Sequence, residues 1–452
     1  MDDWVSEEFK HLDIGDARLN KRAEQVLSTL MREPQSSLLK AFQGRAEVAG
    51  VYRMLANEQV EDKHFVDVHS RCTLDRAQGF ERVLCLSDTT FISYPHRSHI
   101  EGMGPFKKLS DNGFFLHVDF AVSDQGVCLG TLNWQDFVRA RALNKRKTQA
   151  AKPVSDKENQ RWINSYEAVD KAQKQLAAQG AKTRLCYVTD REGDFYELLA
   201  SAAGGSADFL IRARTTRLLP GGLHIGERPD EGTLLGKVSF EMPARRGVKP
   251  RHVTQSIYSQ RVSISARRGR TRTEPVEMTV LWLMEDNVPK GQSPLNWILL
   301  SNIAVTTPEQ ASTLVDWYRL RWRIEMLFDV LKNTCQVERL QLRSAKGIQK
   351  LCALYLIVSW RILYLMTLSR ECPELPASTF FAKDELKLLS ASQALWSRKP
   401  LPAPQTLGQA VRALARLGGY LDRKNDKPPG HRTLTFALLR LFDLALLQQL
   451  LF

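Results

Sequence analysis

Tyr318, Arg321, Glu325 and Lys332 lie in the run Asp-Trp-Tyr-Arg-Leu-Arg-Trp-Arg-Ile-Glu-Met-Leu-Phe-Asp-Val-Leu-Lys, residues 316–332. On a regular α-helix, which turns about 100° per residue, these four side chains share an arc of about 60°. Trp317, Leu320, Ile324, Leu327, Phe328 and Leu331 gather on a neighbouring arc and read as a core face. A carboxylate between two basic groups and a phenol, beside a buried face, suits phosphate or metal chemistry. The same stripe alone also describes the solvated edge of a core helix. Two further segments turn the reading toward chemistry. Val83–Leu86 is an apolar, strand-like run with Asp88 after it, and Leu185–Val188 is another with Asp190 after it. In open α/β sheets, groups at strand ends face the ligand crevice. Two strand-end aspartates and a helical glutamate make a hard, all-oxygen donor set of the kind that suits Mg²⁺ or Mn²⁺.

With these residues in view, the chain resembles the DDE transposases of the insertion-sequence-four family, in the branch typified by composite transposon "five". Tyr318, Arg321, Glu325 and Lys332 fit that family's Tyr-x2-Arg-x3-Glu-x6-Lys signature without a gap. Asp88-Thr89-Thr90 and Asp190-Arg191-Glu192-x-Asp194 resemble its two aspartate motifs. Gly15-Asp16-Ala17-Arg18 and Gly50-Val51-Tyr52-Arg53 are similar to its N-terminal segment, and Ala415–Asp422 to its terminal dimerisation region, so the likeness spans nearly the whole chain.

The resemblance implies an RNase-H-like mixed sheet flanked by helices, with a β-rich insertion and helical N- and C-terminal domains. Residues 1–70 are expected to bind element ends, 71–370 to form the catalytic domain with its insertion at about 215–295, and 371–452 to dimerise. Asp88, Asp190 and Glu325 are the expected catalytic metal ligands for two Mg²⁺ or Mn²⁺ ions, with Asp88 bridging both. Tyr318, Arg321 and Lys332 are expected to handle DNA phosphates. By resemblance Trp297 receives a flipped base, Arg212 and Arg214 contact end DNA, and Arg191 is a weaker candidate of the same kind. Arg18 and Arg22 belong to the basic face of the N-terminal module. The expected partners are double-stranded DNA, as terminal inverted repeats and as target, and a second copy of the chain. The expected reaction is cut-and-paste transposition: nicking, hairpin formation, hairpin opening and strand transfer.

Composition agrees with a polyanionic partner. There are 64 Lys+Arg against 50 Asp+Glu, a net charge of +14. Seven cysteines are scattered without a Cys-x-x-Cys pair, which argues against zinc fingers and disulfide frameworks and fits a reducing, bacterial cytoplasm. His96 and His99 sit in a polar loop and read as structural. The acidic start lacks a signal-peptide core, and Leu351–Val358 is too short to span a bilayer, so no membrane segment is expected.

The elements that must position these groups can also be read. Asp16 caps a helix with Leu19, Ala23, Val26, Leu27 and Leu30 at 3–4 spacing, stopped near Pro34, and a second helix runs from about Arg45 to Asn57. Phe114–Val122 and Val127–Leu132 form a hairpin across Ser123-Asp124-Gln125-Gly126. Residues 139–159 read as a basic loop, and 160–179 and the segment from Asp194 as helices. Phe209–Ala213, Ser256–Ala266 and Val276–Glu285 read as strands divided by basic turns. A helix covers 346–370, Pro400, Pro402 and Pro404 mark a linker, and 405–452 closes the chain with a leucine stripe suited to self-association. Two other functions fit less of the sequence: an RNase-H-like nuclease that does not transpose, and a catalytically idle DNA-binding regulator or inhibitor derived from a transposase.

Overall fold

The computed structural model describes residues 3–42, 44–95, 97, 100–106, 111–139, 158–219, 222–227, 232–242, 250–265, 274–395 and 402–451. Most of the loop expected at 139–159, His96, His99, Pro400 and the basic turns at 245–247 and 267–270 lie outside the described residues.

The chain divides into two units. The first comprises Met1–Ala77, Thr89–Asn144 and Arg323–Phe452; the second comprises Gln78–Asp88 and Lys145–Trp322. In the first unit the N-terminal part is helical: α1 (Asp3–Glu8), α2 (Ala17–Arg32), α3 (Leu38–Ala41), α4 (Arg45–Ala56) and α5 (Asp62–Ala77). Asp16 caps α2 as expected, its side chain accepting from the Arg18 backbone N–H at 2.7 Å. Ala23, Val26, Leu27 and Leu30 are buried, whereas Leu19 is half-buried.

β1 (Arg82–Ser93) begins in the second unit and ends in the first. The first unit adds the hairpin β2 (Gly113–Ser123) and β3 (Cys128–Phe137), closed by Gly126 at φ 97°, a left-handed position that glycine takes without a Cβ clash. The second unit carries α6 (Gln160–Ala178), β4 (Arg184–Thr189), α7 (Tyr196–Ala203), β5 (Asp208–Arg212), β6 (Thr233–Met242), β7 (Arg251–Ile264), β8 (Val276–Glu285), β9 (Trp297–Ser301) and α8 (Pro308–Leu320). The strand order is β3-β2-β1-β4-β5-β9-β8-β7-β6. β1, β4 and β5 are parallel, while β2 with β3 and the run β5-β9-β8-β7-β6 are antiparallel. The expected mixed sheet flanked by helices is therefore present. β6, which the sequence reading missed, is mostly solvent-facing and so lacks an apolar signature.

The first unit resumes with α9 (Trp322–Asp329), α10 (Ala345–Glu371), α11 (Lys383–Ser392), α12 (Leu407–Leu417) and α13 (His431–Leu451). α10 is long and apolar enough to cross a membrane by length and composition, and 94% of its most apolar window is buried against the rest of the unit. Leu434, Leu438 and Leu441 of α13 are buried, while Phe436, Leu446 and Leu447 are exposed.

Three local expectations need correction. Asp88 lies inside β1 rather than at its end, because β-branched and aromatic residues from Thr89 to Ile92 prolong the strand. The helix expected from Asp194 starts at Tyr196, since a 3-10 turn occupies Arg191–Gly193. The run 316–332 is not one regular helix: α8 ends at Leu320, α9 follows Arg321, and residues Val330–Thr334 widen into a π turn closed by Cys335 N–H to the Val330 carbonyl at 2.8 Å.

A buried charge network ties α1 to the first unit. The His69 Nε2 atom accepts from the Thr131 backbone N–H at 2.9 Å, so Nδ1 carries the proton and donates to Glu8 at 2.5 Å. Arg76 donates to the same carboxylate at 2.8 Å and lies 4.1 Å from the Trp360 ring centroid. Burial acts to raise the Glu8 pKa, but His69 and Arg76 outweigh it and hold it at about 2. Burial pushes the His69 pKa below its ordinary 6.5, against Glu8. Both groups take up protons more readily when unfolded, so stability falls with pH, through His69 below 6.5 and through Glu8 between 4.5 and about 2. The melting temperature should drop between pH 7 and pH 5, and His69→Gln should flatten that drop, leaving a smaller part from His431, whose pKa burial also lowers. Identical slopes for wild type and variant in pH-resolved calorimetry would contradict this assignment.

Candidate active site

The register of β1 against β4 places the two aspartates. Ser87 pairs with Thr189 in parallel, and Asp88 and Asp190 are the residues that follow. Neighbouring strands lie about 4.8 Å apart, so the backbones of Asp88 and Asp190 occupy neighbouring positions just past the paired stretch. Beneath them Val83–Leu86 and Leu185–Val188 are fully buried, which fixes the register. Asp190 also starts the 3-10 turn, its Oδ1 accepting from the Glu192 N–H at 2.8 Å.

Arg321 supplies the opposing charge. Its Nη1 donates to Asp88 Oδ2 at 3.0 Å, with both side chains less than one-fifth exposed. Arg321 sits at the C-terminal end of α8, whose start is fixed by a Thr307–Gln310 capping box with Pro308 at the first turn. One turn earlier Tyr318 is buried rather than at the solvent edge. Burial raises its pKa against Arg212 and Arg321, and Asp190 adds to the rise. Burial lowers the Arg212 pKa, while a hydrogen bond with Tyr318 opposes that. The half-buried Trp297 ring packs edge-on to Tyr318 at 5.5 Å and stacks near Phe240 at 6.2 Å, with the Arg212 guanidinium 5.9 Å away. Asp88, Asp190, Tyr318, Arg321, Arg212 and Trp297 all belong to the second unit.

Arg214 is exposed and anchored differently. Its backbone N–H donates to Asp194 Oδ2 at 2.6 Å and its Nε to the Arg191 carbonyl at 2.8 Å. Asp194 is buried and also receives Arg217. The sequence reading quoted Asp194 as a motif letter and missed its work, which is to join the loop after Asp190 to the segment after β5.

Glu325 and Lys332 lie in the first unit. Glu325 is half-buried on α9. Lys332, in the π turn, donates to the Phe91 carbonyl at 2.7 Å and approaches Glu338 at 3.6 Å. Burial lowers its pKa, with Glu338 and Glu325 opposing. Glu338 accepts from the Ser93 N–H at 2.9 Å, and Gln336, two residues before it, takes a left-handed φ of 51°, uncommon for a side chain with a Cβ. Glu338 and the exposed Trp322 went unnoticed in the sequence, since neither falls in a periodic pattern. Arg18 is exposed at the start of α2, whereas Arg22 is half-buried with its guanidinium over Gly50, where a Cβ would come within 3.2 Å.

Among the described residues no group of three or more His, Cys, Asp and Glu stands together as a metal-holding cluster. The donor chemistry of Asp88 and Asp190 nonetheless suits a hard cation: both offer carboxylate oxygens, Asp88 from within β1 and Asp190 from the residue after β4, and a cation there would compete with Arg321 for Asp88.

Three family models match the chain: "Transposase DNA-binding" over residues 1–60, "Transposase DDE domain" over 138–361 and "Transposase Tn5 dimerisation domain" over 357–447. Asp88 lies outside the second match. Among solved structures, one titled "Cryo-EM structure of piggyBac transposase synaptic complex with hairpin DNA" is similar at 8% identity and a TM-score of 0.30. The similarity covers 68% of this chain and 51% of that one, so the chain spans about half the length of the structure it matches.

Asp194→Ala would leave Arg217 and the Arg214 amide without their acceptor, at a cost of about 3–5 kcal/mol. Calorimetry should show a clear loss of melting temperature; an unchanged one would remove Asp194 from its joining role.

Proposed function

The chain belongs to the DDE transposases of the Tn5 type, and from that premise we propose that it cuts and rejoins DNA at the ends of a mobile element. The observation that supports the proposal is the parallel register of β1 and β4, which ends just before Asp88 and Asp190, with Arg321 donating to Asp88. Glu325 completes the catalytic set by its motif position. Two Mg²⁺ or Mn²⁺ ions held by Asp88, Asp190 and Glu325 would activate the attacking oxygen and stabilise the leaving 3′-oxygen.

The remaining roles follow from side-chain chemistry. Arg321 can grip a phosphate through two parallel hydrogen bonds, and its Nη1 already donates to the Asp88 carboxylate. Tyr318 and Arg212 orient each other and can offer a hydroxyl and a guanidinium to the DNA backbone. Lys332 adds a point charge whose position is set by the Phe91 carbonyl. Trp297 is the proposed acceptor of a flipped base during hairpin formation, a contact of about 1–3 kcal/mol. Its present neighbours Tyr318, Phe240 and Arg212 would make the rest of that base's surroundings. Arg214, Arg191, Arg18 and Arg22 are proposed contacts to end DNA, Arg22 being the most constrained because it packs on Gly50.

The proposed organisation assigns residues 1–70 to end binding, 71–370 to catalysis with an insertion at about 215–295, and 371–452 to dimerisation on paired ends. The exposed Phe436, Leu446 and Leu447 of α13 support an apolar contact between copies. The free state of all seven cysteines supports work in a reducing cytoplasm.

The test is cleavage of labelled DNA bearing the inverted repeats that flank the gene, with Mg²⁺ or Mn²⁺. Wild type should yield hairpin ends; Asp88→Ala, Asp190→Ala and Glu325→Ala should each lose cutting while keeping the wild-type circular dichroism. Nicks without hairpins would discard the role of Trp297. DNA binding without any cut by wild type would favour the idle regulator instead.

A further inference from the structure

Arg361 is the most unusual charge in the first unit. It sits in the middle of α10, about nine-tenths buried. Its Nε is buried with no hydrogen-bond partner, and among the described residues no carboxylate reaches it at ion-pair distance. Aromatic faces surround it instead: its guanidinium carbon lies 3.8 Å from the Phe380 centroid, 5.0 Å from Trp4 and 5.9 Å from Tyr364. The nearby acids are committed elsewhere. Glu8 is bound to His69 and Arg76, Glu7 to Lys10, and Glu385 accepts from the Ala382 N–H at 2.7 Å. Burial lowers the Arg361 pKa to about 10, still leaving it charged at neutral pH.

This guanidinium lines a cavity of about 420 Å³, within the range of small-molecule sites. Trp4, Phe380, Phe381 and Phe442 supply its flat apolar walls, and Ser378 and Thr379 supply hydroxyls. Glu7 and Glu385 also line it, the first paired with Lys10 and the second accepting from the Ala382 N–H, so the anionic group is placed at Arg361 and away from them. A buried guanidinium N–H without an acceptor carries a desolvation cost, and an anion entering beside it would relieve that cost. Cation and rings together select for one chemistry.

We propose that this cavity is a binding site for a small aromatic anion, a single flat ring bearing a carboxylate or phosphate. The anionic group would meet Arg361, and the ring would lie against Trp4 and Phe380. Trp4, Glu7 and Met31 come from the segment matched as DNA-binding, and the other lining residues from the segment matched as dimerisation. A bound ligand would therefore strengthen the packing of α1 and α2 against α10, α11 and α13. The site uses none of the individual side chains assigned to catalysis or DNA contact, so its test does not depend on the transposition reading.

The probes are benzoate, inorganic phosphate and benzyl alcohol, titrated calorimetrically into the full chain, with thermal melts alongside. Ser378 is exposed at the cavity, so Ser378→Trp can block it without disturbing the core. Benzoate should bind and raise the melting temperature. Phosphate, lacking the ring, and benzyl alcohol, lacking the charge, should each bind at least about tenfold more weakly, a difference of about 1.4 kcal/mol. Ser378→Trp should melt like wild type without ligand and lose benzoate binding by a similar factor, as should Arg361→Met if it folds. Absence of benzoate binding by wild type at millimolar concentration would overturn the proposal. So would equal binding by Ser378→Trp, which would mark general attraction to a basic chain.

Discussion

The parallel register of β1 and β4 is the constraint on which the candidate site depends. Side chains on a strand alternate with a period of two, so a one-residue slip would send Asp88 and Asp190 to opposite faces. The register is held by the burial beneath: Val83, Leu84, Cys85 and Leu86 on one strand, Leu185, Cys186, Tyr187 and Val188 on the other. These runs are apolar throughout rather than alternating, as expected of parallel strands covered on both faces. A core decision thereby sets the spacing of the two strand paths that carry the proposed carboxylates.

Two adjacent carboxylates repel, and the structure answers with fixed cations. Arg321 meets Asp88 directly, and Arg212 and Tyr318 are coupled to each other beside it. Asp194 plays the complementary part, collecting Arg217 and the Arg214 backbone and so tying the chain after Asp190 to the chain after β5. The same guanidinium that balances Asp88 is the one proposed to take a phosphate.

Much of this was legible in the sequence, for physical reasons. The strand runs before Asp88 and Asp190, the Asp16 cap, the hairpin at residues 123–126 and the burial of α10 all follow from apolar runs, caps and turn chemistry. The motif spacing identified Tyr318, Arg321, Glu325 and Lys332, but a uniform helical wheel misplaced Tyr318, because the run breaks at Arg321 and widens at residues 330–334. Helix breaks of that kind depend on tertiary partners, such as the Phe91 carbonyl that holds Lys332. The same holds for Asp194, Glu338 and Arg361: each derives its role from residues far away in the chain, which local pattern does not reveal. β6 escaped because a mostly exposed strand carries little hydrophobic signal.

The central claim is that Asp88 and Asp190 jointly hold a divalent cation. Electron paramagnetic resonance of Mn²⁺ titrated into the DNA-free protein tests it without relying on turnover. The account predicts saturable Mn²⁺ binding by wild type, weakened at least about tenfold in both Asp88→Asn and Asp190→Asn, a loss of about 1.4 kcal/mol each. Equal Mn²⁺ affinity in wild type and both variants would contradict it, and the two carboxylates would then be only partners for arginine.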